Sequence, residues 1–265
     1  MPTLFIDAGN TFVKMAEYYP PETGIGAVDP DNAARGGSNW NLVGRFRWEQ
    51  QELEVFFSGE IGRYTRIVLV SVRNNSRLAT LLRDGNLQKN AAVTVLDHSV
   101  LSKHNCSYKT PKTLGMDRFF ACAGALNLSR QYGRHSGGVL VTDAGTACTI
   151  DFMNESGVFA GGVIMPGLRM MSDTINSGAE NLFETRLHLP DAAIPDTTEK
   201  AIQTGTYGSF IHAWNAHVEK ILNHYPQTLI WVTGGDAGFI RDHSSFKVTH
   251  NPYLVFEGMR IYLGK

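Results

Sequence analysis

Two short phrases carry the chemistry that stands out in this chain: Asp7-Ala8-Gly9-Asn10-Thr11 and Asp143-Ala144-Gly145-Thr146-Ala147. Each follows an apolar run and precedes a second strand-like run. Glycine in a turn lets backbone N–H groups approach a phosphate with no side chain in the way. The hydroxyls of Thr11 and Thr146 can add donors. The aspartates cannot bind phosphate directly, since both groups are anionic, but each can hold a cation or a metal-bound water that bridges to it. Two such turns facing each other across a cleft make a two-sided phosphate clamp. One copy alone reads better as an ordinary hairpin whose Asp accepts turn N–H bonds; two copies at matching positions favour the clamp.

A third group, Gly115-Met116-Asp117-Arg118, opens an expected helix. Asp117 there can simply cap the helix and Arg118 can be a surface cation. The chemical reading is a carboxylate that takes a proton from an alcohol, beside a guanidinium that holds an anionic group. Phosphoryl transfer needs a positioned nucleophile and neutralised charge more than covalent catalysis. Gly161 to Gly167 (GGVIMPG) and Gly234-Gly235-Asp236-Ala237 each suit either a strand end and turn or close backbone approach to a ligand. The nine histidines show no metal-binding spacing, and there is no Walker A, Rossmann or GxSxG signature.

The elements that must hold these residues follow from pattern. Strands are expected at 3–6, 12–19, 42–48, 67–72, 92–96, 139–142, 147–153, 158–164 and 228–233, where short β-prone runs meet Gly, Asn or Asp. Helices are expected near 49–60, 74–87, 117–133, from Pro166 onward, as one long helix over 198–224, and at 253–263. The Pro- and Gly-rich stretch 20–41 reads as a loop. Because the Asp-Ala-Gly phrase recurs after a strand in both halves, the chain reads as an internal duplication: two α/β domains, 1–115 and 116–265.

Composition sets the bounds. A chain of 265 residues holds one large or two medium domains. A net charge of −1 provides no field for nucleic acid or an anionic membrane. Three widely spaced cysteines, Cys106, Cys122 and Cys148, argue against a disulfide framework or a structural zinc site. The start of the chain reaches Asp7 too early for a signal peptide, and no apolar run approaches the length of a membrane span. A cytoplasmic protein is expected, with neither nucleic acid nor membrane as partner.

Taken in order, the motifs resemble the type III pantothenate kinases, of the acetate/sugar kinase, heat-shock ATPase and actin superfamily. That family's D-x-G-N-T-x-x-K is matched by Asp7 to Lys14, and its Tyr-x-x-Pro-x-x-Leu-Gly-x-Asp-Arg by Tyr108 to Arg118. Its D-x-G-T-A-x-T is matched by Asp143 to Thr149, its G-G-x-I-x-P-G by Gly161 to Gly167, and its Thr-x-x-Ala-Ile-x-x-Gly by Thr198 to Gly205. The resemblance spans nearly the whole chain. It implies two ribonuclease H-like, actin-like ATPase domains of duplicated topology around an interdomain nucleotide cleft. It implies Asp117 as the base that deprotonates the pantothenate hydroxyl. Tyr108, Gly115, Met116, Asp117, Arg118 and Thr198 would contact pantothenate. Asp7, Ala8, Gly9, Asn10, Thr11, Phe12, Val13, Lys14 and Thr146 would contact ATP. Mg²⁺ would accompany the ATP, and Asp143 would help hold K⁺ or NH₄⁺. A homodimer is implied, with the substrate pocket at the subunit interface and 161–175 partly interfacial.

Two other readings compete with it. A related phosphotransferase or phosphatase acting on a sugar or acid would share the phosphate turns, but the Tyr108–Arg118 segment and Thr198 favour pantothenate. A catalytically silent accessory relative would have no chemical need for Asp7, Asp117, Arg118 and Asp143 together. Lys14 and Arg118 are the cations that the motifs supply.

Overall fold

The computed structural model describes residues 2–20, 39–71, 76–85, 87, 91–134, 137–178 and 182–263. Positions 21–38, most of the expected loop, lie outside the described residues.

The first half forms β1 (Thr3–Ala8), β2 (Phe12–Tyr18), β3 (Trp40–Arg47), α1 (Gln51–Ser58), β4 (Arg66–Ser71), α2 (Ser76–Asp84) and β5 (Ala92–Val95). The second half forms α3 (Met116–Gln131), β6 (Gly138–Ala144), β7 (Ala147–Asn154), β8 (Phe159–Pro166), α4 (Leu168–Gly178), α5 (Thr198–Gln203), α6 (Ser209–His224), β9 (Thr228–Thr233), α7 (Ala237–His243), β10 (Thr249–His250) and α8 (Leu254–Ile261). The first sheet runs β3-β2-β1-β4-β5 and the second β8-β7-β6-β9-β10. In each, the first three strands in sequence pair antiparallel and the next two add in parallel on the other side. The two halves therefore repeat one topology, as the repeated phrase led us to expect: α/β, with two ribonuclease H-like sheets.

Position within the sheet explains the strand sequences. β1 and β6 are central and buried along nearly their whole length, so both are almost continuously apolar until the Asp near the end. β8 is an edge strand and alternates between exposed and half-buried residues.

The layer between the sheets is helical. α3 is buried on nearly every face, and its core joins Phe5 and Val68 of the first sheet, Val139 and Val141 of the second, and Leu254 and Phe256 of α8. α3 and α8 cross in backbone contact: a Cβ at Gly124 would strike the carbonyl of Leu254, and one at Gly258 the carbonyl of Phe120. A buried carboxylate ties the layer to the first sheet. Glu257 accepts from Trp40 Nε1, Asn127 Nδ2 and Arg260 Nε, each at 3.1 Å.

Two expectations about the second half change. The single helix over 198–224 is interrupted by a π-helical turn at Thr204–Gly208, an irregularity that periodicity of apolar residues does not reveal. α7 and the two-residue β10 were not anticipated, being too short to carry a periodic signal.

Candidate active site

The two Asp-Ala-Gly phrases are the tips of the β1–β2 and β6–β7 hairpins, closed by Gly9 N–H to Phe12 O at 2.9 Å and Gly145 N–H to Ala147 O at 3.2 Å. Trp48 steadies the first tip by donating its indole N–H to Gly9 O at 3.0 Å. The tips meet across a cleft of about 300 Å³, where Thr146 donates its hydroxyl to that of Thr11 at 2.9 Å.

Strand register sets a charged row along the first wall. Asp7 on β1 pairs with Lys14 on β2, which pairs with Arg45 on β3. The matching row of the second wall is Asp143, Thr149 and Ile164. All six residues line the cleft. Lys14 Nζ lies between the walls, 3.7 Å from Asp7 and 3.9 Å from Asp143. Asp143, ahead of Asp7 and Asp117, holds the Lys14 ammonium above its ordinary value despite burial. Burial, then Asp143, pushes the Asp7 carboxyl up. One oxygen of each aspartate, Asp7 Oδ1 and Asp143 Oδ1, is buried with no hydrogen-bond partner. Orphaned carboxylate oxygens in such a place suit a hard cation. Among the described residues, no three His, Cys, Asp or Glu gather into a metal cage, so a divalent ion there would draw most of its ligands from elsewhere.

Asp117 enters from the first turn of α3. It accepts the backbone N–H of Arg118 at 2.9 Å. Burial, with Asp7 and Asp143 nearby, pushes its pKa up to about 7. A carboxyl poised there is suited to take a proton at neutral pH.

Arg118 is not a free surface cation. Its Nε donates to both carboxylate oxygens of Asp151 at 3.1 Å, and Tyr108 lies beside it and further favours its charged form. Asp151 stands mid-strand on β7, buried, and its pKa is raised by burial even though Arg118 opposes the shift. Gly162 on β8 leaves room for this pair: a Cβ there would strike the Asp151 carboxylate. The Gly161-Gly162 motif thus borders Tyr108 and Asp151, which together fix the guanidinium.

Most of the residues singled out from sequence converge. Asp7, Gly9, Asn10, Thr11, Phe12 and Lys14 line the cleft from one side. Gly115, Asp117, Arg118, Asp143 and Thr146 line the rest. Ala8, Val13 and Met116 have side chains buried in hydrophobic cores, which leaves only their backbone for ligand contact. Tyr108 packs on Phe159, with ring centroids 6.1 Å apart, and reaches the site through Arg118. Thr198 stands apart, exposed at the start of α5 and outside the cleft lining.

Sequence reading missed Arg45 and Asp151. The signal for Asp151 was available, as a charge inside an otherwise buried strand requires a partner; the alternation of Arg45, Phe46 and Arg47 on an edge strand gave none. A second cavity, of about 550 Å³, lies between Leu168, Glu184, Arg186, Tyr207 and Asp236. It adjoins the cleft, since Asp236 follows Gly235 of the cleft wall.

No helix among the described residues is long and apolar enough to cross a membrane. The sequence profile of the type III pantothenate kinase family matches residues 3–220. A type III pantothenate kinase of Flavobacterium johnsoniae is 27% identical over 259 residues, covering 97% of this chain and 95% of that protein. One from Acidothermus cellulolyticus is 25% identical over 265 residues, covering 97% and 96%. Among solved structures, the ethanolamine utilization protein EutJ from Carboxydothermus hydrogenoformans superposes with a TM-score of 0.50 at 13% identity, covering 99% of this chain and 90% of that one. At that identity the likeness speaks to the fold alone.

Proposed function

The chain belongs to the type III pantothenate kinase family, and from that premise we propose how its cleft carries out the reaction. The activity is ATP-dependent phosphorylation of pantothenate to 4'-phosphopantothenate, the first step of coenzyme A biosynthesis.

The observation that carries the proposal is the Asp117 carboxyl, poised near neutrality in the cleft where the two hairpin tips meet. Asp117 accepts the proton of the pantothenate hydroxyl, and the oxygen attacks the γ-phosphorus of ATP. The bond from that phosphorus to the β-bridging oxygen breaks and ADP leaves. The tips, with Gly9, Asn10, Thr11 and Thr146, cradle the phosphates, and Lys14 neutralises part of their charge. The nucleoside extends into the adjoining cavity beside Tyr207 and Asp236. Arg118, clamped by Asp151 and Tyr108, presents its remaining N–H groups to the polar groups of pantothenate.

Two cations fit the orphaned oxygens. Mg²⁺, bound mainly by ATP phosphates and water, would be held by Asp7 and would neutralise charge on the transferring group. K⁺ or NH₄⁺ would be held by Asp143.

We place the boundary between the two actin-like domains at residues 115 and 116, and the protein in the cytoplasm as a homodimer. Thr198 supports the dimer: a pantothenate contact exposed away from its own cleft can serve the cleft of a second copy. Ile164, Phe183, Leu187 and Ile194 are also exposed apolar side chains along β8 and the 182–194 segment, the kind of surface that association covers.

The deciding test is mass spectrometry of a mixture of protein, ATP, Mg²⁺ and pantothenate. Phosphopantothenate is expected; its absence, with ATP consumed on another alcohol or acid, would overturn the substrate assignment.

A further inference from the structure

We infer that Arg45 contacts the nucleotide, as a guanidinium carried on the first sheet that reaches across the cleft to grip the polyphosphate. The inference rests on ATP occupying this cleft.

Three observations carry it. First, Arg45 stands directly across from Lys14 in the β2–β3 register, at the end of the row that starts at Asp7. Like charges placed opposite each other on one sheet face repel, and Arg45 does depress the affinity of Lys14 for its proton. Lys14 has Asp7 and Asp143 to offset its charge. Arg45 forms no ion pair or hydrogen bond with the described residues; the Asp236 carboxylate is near enough to feel its charge but does not pair with it, so a polyanion is the close partner that this guanidinium lacks.

Second, the guanidinium is held in place without spending its donors. Its carbon sits 3.8 Å from the centroid of the Phe12 ring, on the first hairpin tip. Stacking on an aromatic face fixes the plane and leaves the N–H groups free at its edge.

Third, the group spans the walls. A Cβ at Gly235, on the turn after β9, would come within 2.8 Å of Arg45 Nη1. Arg45 therefore closes the cleft over the space between the tip at Phe12 and the turn at Gly235, beside the cavity assigned to the nucleoside. The matching position of the second sheet is Ile164, so the duplicated row carries cations only on the first wall. The phosphates held between the tips are therefore drawn towards that wall.

The test uses Arg45→Ala and Arg45→Lys in the full chain. Binding of ATP, ADP and adenosine is measured by calorimetry, with KM for ATP and for pantothenate from steady-state assays. Arg45 is exposed, so both variants should melt as the parent does. For Arg45→Ala the expected result is a rise of about tenfold to a hundredfold in Kd for ATP and ADP. Adenosine binding and the KM for pantothenate should stay within about twofold of the parent. Arg45→Lys should fall between, because it keeps the charge and loses the fork and the stack. ATP and ADP affinities that do not change would overturn the inference, as would an equal loss for adenosine or a loss confined to pantothenate. The parent assay separates the two claims. If the parent makes phosphopantothenate while Arg45→Ala binds ATP normally, the inference alone fails. If ATP binding depends on Arg45 while the parent leaves pantothenate untouched, the substrate assignment alone fails.

Discussion

Thr11 and Thr146, 135 positions apart in the chain, share a hydrogen bond of 2.9 Å between their hydroxyls. The bond joins equivalent points of the two duplicated hairpins and spans the mouth of the cleft. A triphosphate bound between the tips, as proposed above, would replace it with its own oxygens.

Removing either hydroxyl should therefore weaken nucleotide binding and little else. Thr146→Val is expected to raise the KM for ATP by about tenfold, with the KM for pantothenate unchanged. Thr11→Val should behave alike, and the double variant should cost less than the two effects added, because both hydroxyls serve one ligand. Additive losses would show that the two tips act independently.

As the proposed base, Asp117 should set the pH dependence of turnover. It must be deprotonated to act as base, so kcat/KM for pantothenate should climb with pH and level off above about 7. Asp117→Asn keeps the shape and removes the basic oxygen; turnover should fall by about a hundredfold or more. Near-parental turnover in that variant would remove Asp117 from its role.

The same residue should weaken the fold. Its pKa in the folded protein lies above the ordinary 3.8, so the native state keeps the proton longer than the unfolded chain does. Stability is then lost as pH rises from about 4 to 7. Asp117→Asn escapes that loss and should be the more stable protein, by up to about 4 kcal/mol at pH 8 and far less at pH 4. Thermal melts at the two pH values read this directly, and an Asn variant that melts below the parent at pH 8 would contradict it.

Asp143 should confer dependence on a monovalent cation. In Mg·ATP buffer held at constant ionic strength with an inert organic cation, activity should need K⁺ or NH₄⁺, and Na⁺ should substitute poorly. Asp143→Ala should lose both the activation and most of the activity. Lys14 already lies 3.9 Å from this carboxylate. If that ammonium is the whole counter-charge, activity will be full without K⁺ or NH₄⁺, and the ion has no place in the site.

The placement of Thr198 predicts complementation between subunits. Light scattering should give twice the mass of one chain. Asp117→Asn and Thr198→Val homodimers should each be impaired. Mixed and allowed to exchange, they should recover about a quarter of parental activity, since half the random dimers hold one intact pocket of two. No recovery in verified heterodimers would show that Thr198 does not serve the partner's pocket.

How much of this was legible beforehand varied with the physics of each element. The duplicated topology followed from two apolar strands ending in the same Asp-Ala-Gly phrase, because a buried central strand and a glycine turn both leave marks in composition. The hairpin tips were legible for the same reason, whereas Asp117 was marked only by its place at a helix start and by the family resemblance; the structure brings it into the cleft. Arg45 was not, since an Arg on a half-exposed edge strand usually means solvent, and its partners Phe12 and Gly235 come from distant parts of the chain. The pairing of Arg118 with Asp151 reversed a simple count of charges: that guanidinium arrives already neutralised, which leaves Lys14 and, by our inference, Arg45 as the cleft's cations for an anionic ligand. The π-helical turn at Thr204–Gly208 was invisible because its neighbours are ordinary helix formers.

The contact between α3 and α8 has a bearing on how the protein is made. α8 comes last among the described elements, yet it covers α3 and anchors Trp40 of the first sheet through Glu257. Synthesis runs from the N-terminus, so the β1–β2 hairpin emerges long before the helix that completes the layer beneath it. On the ribosome, the first sheet must wait with part of its apolar face uncovered until α8 packs against Gly124 of α3, the helix that carries Asp117. A nascent chain stalled before residue 254 leaves α3 and Trp40 without the partners that bury them.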